Sequence, residues 1–379
     1  MEFKKITVGN FAENLDRFRI PLSSAEREKK RGKYPYYGAA KIIDYVDGFT
    51  HSGLSVLIAE DGSVETDKGY PVVQLANGEY WVNNHTHVLK GKNDWDTLYL
   101  YYALQIIKVS PFVTGAVQKK ISQKALNSME LNYFEDPMIR RKIVESLLGL
   151  DKKIELNTQI NQTLEQIAQT IFKSWFIDFD PVHAKANALA SGQTAEQATQ
   201  AAMAVISGKN TQELHRLQTA NPEQYQQLWE IAEAFPSGFS GYKNLGEIPI
   251  GWNVLTFKDF ISESKEKIGS LEDVPEYSVG NEGIYPRSEK YNKSLSKTPE
   301  KNKVVRIGDL VFGMGSKTLN WGIMNDEIGS VSPAYFVYRI FTNINYIYLN
   351  KYIKAKEYDF QNLIKPTSRQ GQSVDKEMF

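Results

Sequence analysis

The sequence predicts an α+β protein in which two similar globular domains are joined by a long helix. Three observations lead to this fold class. Strand-like segments such as "HSGLSVLIAEDG" and "AYFVYRIF", bounded by Gly, Asn and Asp, occur together with helical ones such as "DWDTLYLYYALQII". The first third of the chain is similar to the last third at a nearly constant offset. Between these two regions lies an unbroken heptad pattern.

Composition restricts the kinds of site that the chain can form. Its 379 residues contain no cysteine, which excludes disulfides, thiolate metal sites and cysteine nucleophiles. The 45 basic residues balance 45 acidic ones, so nucleic-acid binding would have to come from local clusters of charge. The chain starts without the apolar core of a signal peptide, and no run of about 18 apolar residues occurs. A cytoplasmic protein without a membrane span is therefore expected.

The repeat is visible as apolar residues that recur 249 positions later. The aligned pairs are Phe3 with Trp252, Ile6 with Leu255, Phe11 with Phe260, Val82 with Val331 and Val88 with Val337. The helical "LYLYYAL" (98–104) aligns with "IYLNKYI" (347–353) at the same offset. After a slip of four residues, Ile121 aligns with Val374 and Leu126 with Phe379. A constant offset over such a length indicates a duplication.

The first copy continues into a long helical segment and the second does not, so the second half is expected to lack its final helix.

The segment after the first copy predicts a long helix that needs a partner. Asp136 is a good N-cap, and Pro137 suits the first helical position, where a missing N–H costs nothing. The steps between seam positions then alternate four and three, as in a coiled coil, over a rod of roughly 60 Å. The seam residues expected to pair with another helix are Ile143, Leu147, Leu150, Ile154, Asn157, Asn161, Leu164, Ala168, Ile171 and Trp175. The alternative is a long helix lying against its own domain.

An Ala/Gln-rich stretch and a Gly/Pro-rich linker separate the rod from the second copy. Thr194 with Gln197 forms a capping box, and Asn221-Pro222 marks a further helix start. The expected division is therefore a first domain at 1–135, the spacer helix at 136–178, a helical insert with its linker at 179–245, and a second domain at 246–379.

No catalytic constellation is found in the sequence. "FGMGSKT" (312–318) lacks the spacing of a phosphate-binding P-loop and is better explained as a Gly-rich turn near a polyanion. His85 and His87 lie on one face of a strand and could hold a metal, but no further ligand has convincing spacing. We therefore expect no catalytic residue and no metal in this chain.

Basic clusters occur in both copies and indicate contacts with duplex DNA. "EREKKRGK" (26–33) holds five basic residues against two acidic ones, and "RSEKYNKSLSKTPEKNK" (287–303) holds six against two, with tyrosines interleaved. Lys and Arg neutralise phosphates, while Gln and Arg can contact base edges. The candidate DNA-binding residues are Lys30, Arg31, Lys33, Tyr36, Tyr37, Lys41, Gln118, Lys119 and Lys120 in the first copy, and Lys290, Lys293, Lys317, Arg369 and Gln370 in the second. Solvated loops are the alternative for the charged residues, and core packing is the alternative for the two adjacent tyrosines.

Several stretches resemble the specificity (S) subunits of type I restriction–modification enzymes. "LDKKIELNTQINQTLEQIAQTIFKSWFIDFDPVHAK" is similar to their conserved central helix. "YPYYGAAKIIDYVDGF", "LIAEDGS" and "WVNNHTHVL" are similar to a first target recognition domain, and "LGEIPIGW" to the entry of the second. The resemblance implies two target recognition domains that each read half of a split DNA sequence, joined by a coiled-coil spacer helix.

The same resemblance implies partners and cofactors outside this chain. Methyltransferase (M) subunits would bind S-adenosylmethionine and methylate adenine N6, and restriction (R) subunits would use ATP and Mg²⁺ to translocate and cleave DNA. The resemblance implies that the second conserved helix is missing from this sequence, so the seam is expected to be covered in another way. A homodimer through the spacer helix is one expected arrangement, and the others are packing on the Ala/Gln-rich insert and a helix supplied by a partner. The other functional reading is a coiled-coil scaffold for protein interactions, whose basic loops do not read DNA.

Overall fold

The computed structural model of the chain describes residues 3–66, 68–115, 118–242, 246–291, 293–315, 318–366, 372–375, 377 and 379. The chain divides into two compact units, Met1–Thr158 (unit 1) and Gln159–Phe379 (unit 2). The boundary falls within the long helix. The finer division into four segments therefore stays a prediction.

Unit 1 combines short helices with antiparallel sheets. Its helices are α1 (Val8–Phe11), α2 (Ser24–Lys29), α3 (Asp94–Leu104) and α4 (Gln123–Ser128). Its strands are β1 (Lys4–Thr7), β2 (Glu13–Asn14), β3 (Arg31–Tyr37), β4 (Ile42–Val46), β5 (His51–Ser52), β6 (Ser55–Ala59), β7 (Val73–Ala76), β8 (Glu79–Val82), β9 (Thr86–Lys90) and β10 (Glu130–Tyr133). β1 pairs with β10, and two larger sheets have the strand orders β2-β9-β6-β7 and β4-β3-β8-β5.

The burial of strand β6 explains why residues 55–59 form a nearly continuous apolar run. All five of its residues are buried. Val56 and Ile58 pack in the cluster that contains Leu100 of α3, while Leu57 packs on the opposite side with Tyr80 of the neighbouring sheet. A strand covered on both faces has no solvent side, so the alternation of polar and apolar residues is lost.

The predicted long helix is present as α5 (Pro137–Phe176), which contains 40 residues. Asp136 is its N-cap, because the Asp136 Oδ1 atom accepts a hydrogen bond of 2.8 Å from the Met138 amide. Pro137 takes the first position, as its missing N–H predicts. At 1.5 Å per residue the helix is about 60 Å long.

Unit 2 continues with a helical insert and a second α+β domain. Its further helices are α6 (Asp180–Ala190), α7 (Ala195–Ser207), α8 (Thr211–Ala220), α9 (Pro222–Ala234), α10 (Tyr346–Ala355) and α11 (Glu357–Gln361). Its strands are β11 (Phe239–Tyr242), β12 (Gly246–Pro249), β13 (Ile261–Ser264), β14 (Tyr277–Gly280), β15 (Gly283–Pro286), β16 (Lys303–Arg306), β17 (Leu310–Phe312), β18 (Trp321–Ile323), β19 (Ile328–Val331), β20 (Phe336–Ile340), β21 (Ile364–Pro366) and β22 (Gln372–Val374).

The duplication is confirmed by strand order. The sheet β13-β20-β17-β18 repeats the order of β2-β9-β6-β7 in unit 1. Val88 pairs with Leu57 in the first copy, and Val337 pairs with Val311 in the second. The parallel pairing of β3 with β8 also has a counterpart, the parallel bridge between Glu276 and Ser330.

The helices that follow these sheets are equivalent as well. Leu100 and Leu104 of α3 are fully buried, and Leu349 and Ile353 occupy the corresponding buried positions of α10. The offset between the two pairs is the one found in the sequence. The apolar spacing of the chain therefore locates both copies.

The Ala/Gln-rich insert forms helices α6–α9 with the caps that the sequence indicates. Thr194 and Gln197 form a reciprocal capping box at α7. Asn221 caps α9 through the Gln224 amide. Buried Lys185 donates hydrogen bonds to the carbonyls of Ala232, Glu233 and Phe235, which ties α6 to the end of α9. A cation at the carboxyl end of a helix also complements the helix dipole.

Candidate nucleic-acid interface

The first basic cluster is exposed and lies at the start of the β3–β4 hairpin. Lys30 Nζ lies 3.6 Å from Asp47 Oδ1, and Arg31 Nη2 lies 3.8 Å from Glu28 Oε1. The Lys33 ammonium lies over the Tyr34 ring, 5.0 Å from its centroid. Such long, exposed ion pairs leave the cations available to a phosphate. Exposed Lys41 lies beyond the other end of β3, about 20 Å of strand away, so the structure separates it from this cluster.

The two adjacent tyrosines are part of the core, which corrects their assignment to a DNA-contacting surface. Tyr36 is 1% exposed, and its hydroxyl accepts a hydrogen bond of 2.9 Å from the Leu22 amide. Tyr37 is 9% exposed and packs edge-on against Tyr80. Both rings lie on β3, an inner strand of the sheet β4-β3-β8-β5, where a buried aromatic ring contributes to core packing.

The second basic loop of unit 1 carries Gln118, Lys119 and Lys120, all exposed. Lys119 Nζ lies 2.5 Å from Glu65 Oε1, and Lys120 Nζ lies 3.0 Å from Glu60 Oε1. Hydrogen bonds from Lys119 and Ser110 hold the pKa of the Glu65 carboxyl below its usual range. A phosphate approaching either lysine would therefore share it with an ionised carboxylate. Sequence reasoning missed these pairings because the partners are remote in sequence.

A buried polar cluster anchors this loop. His87 Nδ1 lies 2.6 Å from Asp16 Oδ2, and His87 Nε2 lies 2.8 Å from the carbonyl oxygen of Ile121, next to Lys120. Arg19 Nη1 donates a hydrogen bond of 2.6 Å to Glu60 Oε2. Asp16, Glu60 and His87 bring potential ligand atoms within 4.8 Å of one another. Arg19 and Lys120 already balance the two carboxylates, so the cluster is built as an ion-pair network.

The histidine pair considered from the sequence is divided between two environments. His85 is partly exposed, and its Nδ1 lies 2.8 Å from Asp61 Oδ1. His87 is buried and belongs to the cluster with Asp16 and Glu60. Side chains two residues apart on a strand point to the same face, which is why His85 and His87 were considered together. His85 lies one residue before β9 begins, so this alternation does not apply to it.

In unit 2 a basic and aromatic surface is built on the β14–β15 hairpin and the turn that follows it. The Lys290 ammonium lies 4.2 Å from the centroid of the Tyr285 ring, and the Arg287 guanidinium lies 4.4 Å from that of Tyr291. Arg287 Nε also donates to the carbonyl of Lys293, whose side chain is exposed. Arg287 was not singled out in the sequence, although the alternation of tyrosines and cations there was the signal for it. Lys317, Arg369 and Gln370 lie outside the described residues.

The spacer helix exposes a wide apolar surface. Every residue from 149 to 164 is exposed. The exposed apolar residues of α5 include the seam residues Leu150, Ile154, Leu164 and Ile171, together with Leu156, Ile160 and Ile167, which the seam omitted. Asn157 and Asn161 are exposed among them. Ile143 and Leu147 are half-buried in unit 1, and Ala168 and Trp175 are half-buried in unit 2. Each end of the helix thus packs within its own unit, and the pairing of the middle stays a prediction.

In the parts of the chain that the structure describes, no helix is long and apolar enough to cross a membrane.

Comparisons with known proteins relate the first part of the chain to a described family. Residues 1–166 match the family model described as "Type I restriction modification DNA specificity domain". The HindI specificity subunit of Haemophilus influenzae is 49% identical over 144 residues, which are 37% of this chain and 31% of that protein. A putative specificity subunit of the same organism, S.HindORF215P, is 40% identical over 124 residues, or 33% of this chain and 30% of that protein. This chain therefore spans about a third of the length of these curated relatives.

Among solved structures, the S subunit of a type I restriction–modification system from M. genitalium aligns with 99% of this chain and 85% of its own, with 14% identity and a TM-score of 0.44. The family match over residues 1–166 includes the motifs quoted from the sequence for the first recognition domain and the start of the spacer helix. Residues 1–166 of the chain are thus similar to the DNA specificity domain of type I restriction–modification enzymes.

Proposed function

We propose that this chain is the DNA-reading subunit of a type I restriction–modification complex and that each unit reads one half of a split duplex target. The observation that carries the proposal is the repeated sheet topology with a basic and aromatic surface in each copy. Cations beside partly exposed rings can contact phosphates, and the rings can stack on sugars or bases. Two copies of one reader joined by a helix suit a target of two half-sites.

The second candidate is a scaffold that binds proteins through its spacer helix. The exposed apolar residues of α5 favour it, as do the ion pairs that already engage Lys119 and Lys120. A gel shift with methylated and unmethylated genomic fragments, with M subunits present, separates the two candidates. A scaffold would retard no fragment beyond what the M subunits retard alone.

The loop at residues 118–120 gives a direct test of DNA contact. Changing Lys119→Glu together with Lys120→Glu should weaken binding to all duplexes, because lysine ammonium groups neutralise phosphates, which every duplex carries. The log–log slope of affinity against salt should fall by about one unit for each lost phosphate contact. Affinity is measured by fluorescence anisotropy across a salt series.

The matched control is Lys152→Glu with Lys153→Glu, which makes the same charge change at two exposed lysines of α5. If net charge alone governed binding, both pairs of changes would have the same effect. An unaltered affinity and salt slope in the Lys119/Lys120 variant would remove this loop from the interface.

The chain itself is proposed to carry no catalytic group. S-adenosylmethionine would be held by M subunits, and ATP with Mg²⁺ by R subunits. Purified chain incubated with labelled S-adenosylmethionine and DNA is expected to transfer no label, because its sequence contains no acid–base constellation or cofactor-binding motif. Label transfer above background would refute this part of the proposal.

The proposed partners are double-stranded DNA, M subunits and R subunits, together with a second copy of the chain that binds through α5. The proposed location of the complex is the cytoplasm. Burying one Leu or Ile is worth roughly 1.5–3 kcal/mol, so the exposed residues of α5 favour a helical partner. Two antiparallel copies would bury them, with Asn157 and Asn161 restricting the register. Sedimentation equilibrium at micromolar concentration distinguishes this dimer from a monomer.

A further inference from the structure

Helices α3 and α10 occupy equivalent places in the two copies, and each contacts a carboxylate of α5 from an equivalent position. Tyr102 lies between the buried residues Leu100 and Leu104, and Lys351 lies between Leu349 and Ile353, at the offset of the repeat. Tyr102 Oη donates a hydrogen bond of 2.6 Å to Asp151 Oδ2. Lys351 Nζ donates one of 2.6 Å to Glu165 Oε2. The duplication has therefore preserved the place of the contact while changing its chemistry.

The contact in unit 2 is a cluster of charges, which we call the Glu165 clamp (Glu165, Gln169, Lys351 and Lys354). Lys354 Nζ lies 3.0 Å from Glu165 Oε1, and Gln169 Nε2 donates to the same oxygen at 3.0 Å. Burial alone would raise the pKa of the Glu165 carboxyl, but the hydrogen bonds from Lys351, Gln169 and Lys354 lower it to about 2. Glu165 is therefore ionised at every pH at which DNA binding is measured.

Beside the Glu165 clamp, aromatic contacts hold the end of α5 to the recognition domain of unit 2, where Phe176 stacks on Trp252 with ring centroids 6.2 Å apart. A cavity of about 660 Å³ separates Gln169 and Lys173 from the 281–283 turn and from Trp321. One turn further along α5, Phe172 and Phe176 pack against Tyr348 of α10. Helix α10 contacts α5 through an apolar half and the Glu165 clamp. Packing between rings is largely non-directional, whereas charge-assisted hydrogen bonds are short and depend on the positions of both partners.

We propose that Glu165 is a positioning residue for DNA reading, because its clamp fixes α10, and with it the recognition sheet of unit 2, on helix α5. This inference rests on the proposed function. The gap is the number of base pairs between the two half-sites of the target. A recognition domain held in one position on α5 binds its half-site at one gap only. A loosely held domain binds it at several gaps. Bases are contacted elsewhere, so the half-site sequences do not depend on the clamp.

The test compares variants of the full chain by selection from a library of random duplex DNA. Glu165→Gln keeps the shape of the side chain and removes its charge. The expected result is unchanged half-sites with a broader distribution of gaps, together with partial restoration of the single gap by Glu165→Asp. Glu145→Gln is the matched control, because Glu145 is an exposed carboxylate of α5 that pairs only with Arg141 of the same helix among the contacts described. It should leave the gap unchanged.

A purely structural role for Glu165 would lower the affinity for all gaps equally, and that result overturns the inference. An unchanged gap distribution overturns it as well. If wild-type chain selects no split target, the proposed function fails first, so the two failures are distinguishable. Lys354→Met, at the more exposed end of the clamp, is expected to broaden the distribution of gaps in the same way. If Glu165→Gln does not fold, the Lys354→Met result tests the inference instead.

Discussion

Replacing Arg140 with alanine is expected to lower the free energy of unfolding of unit 1 by about 3–5 kcal/mol. Arg140 Nε donates a hydrogen bond of 2.9 Å to Asp96 Oδ1, and each side chain is 8% exposed. Arg140 Nη1 also donates to the carbonyls of Phe134 and Glu135. Alanine would leave the Asp96 carboxylate buried without its countercharge and would leave the two carbonyls without their donor.

The neighbouring arginine is the matched control. Arg141 is 48% exposed and forms an ion pair with Glu145 on the same helix. Arg141→Ala should cost less than about 1 kcal/mol, because solvent screens an exposed pair. Urea denaturation of the full chain, with hydrogen exchange of the α3 amides to report on unit 1, measures both variants. Equal effects of the two substitutions would contradict the importance of the buried pair.

The repeat could be predicted from the sequence because it depends on apolar spacing. Val88 and Val337 lie at the centre of equivalent sheets, and Leu104 and Ile353 lie on equivalent helices. Burial constrains such positions to apolar residues even when identity is low. The start of α5 was predictable for a similarly local reason, since Asp136 and Pro137 act on their own helix.

The ion pairs of the candidate interface could not be predicted in this way. Glu60 and Glu65 are remote in sequence from Lys119 and Lys120, and no periodicity relates them. The exposed lysines of a loop look the same in sequence whether or not a carboxylate engages them. Only the fold shows that the second basic loop of unit 1 carries compensated charge.

The aromatic residues show the same limit. Tyr36 and Tyr37 were candidate DNA contacts because they follow a basic run, but strand β3 places both in the core. Tyr285 and Tyr291 also lie beside basic residues, yet they contact the cations of Lys290 and Arg287 at the surface. Similar sequence signals therefore occur in opposite environments, because β3 is an inner strand of its sheet whereas Tyr291 follows the β14–β15 hairpin.

Sequencing the methylated bases of a bacterial strain tests the central claim most directly. The strain carries this chain with M subunits of the family, and the comparison strain lacks only this chain. The account predicts adenine N6-methylation at a target of two defined half-sites separated by a gap of constant length, and its loss when the chain is removed. Methylation that persists without the chain, or that falls on one uninterrupted motif, would contradict the account.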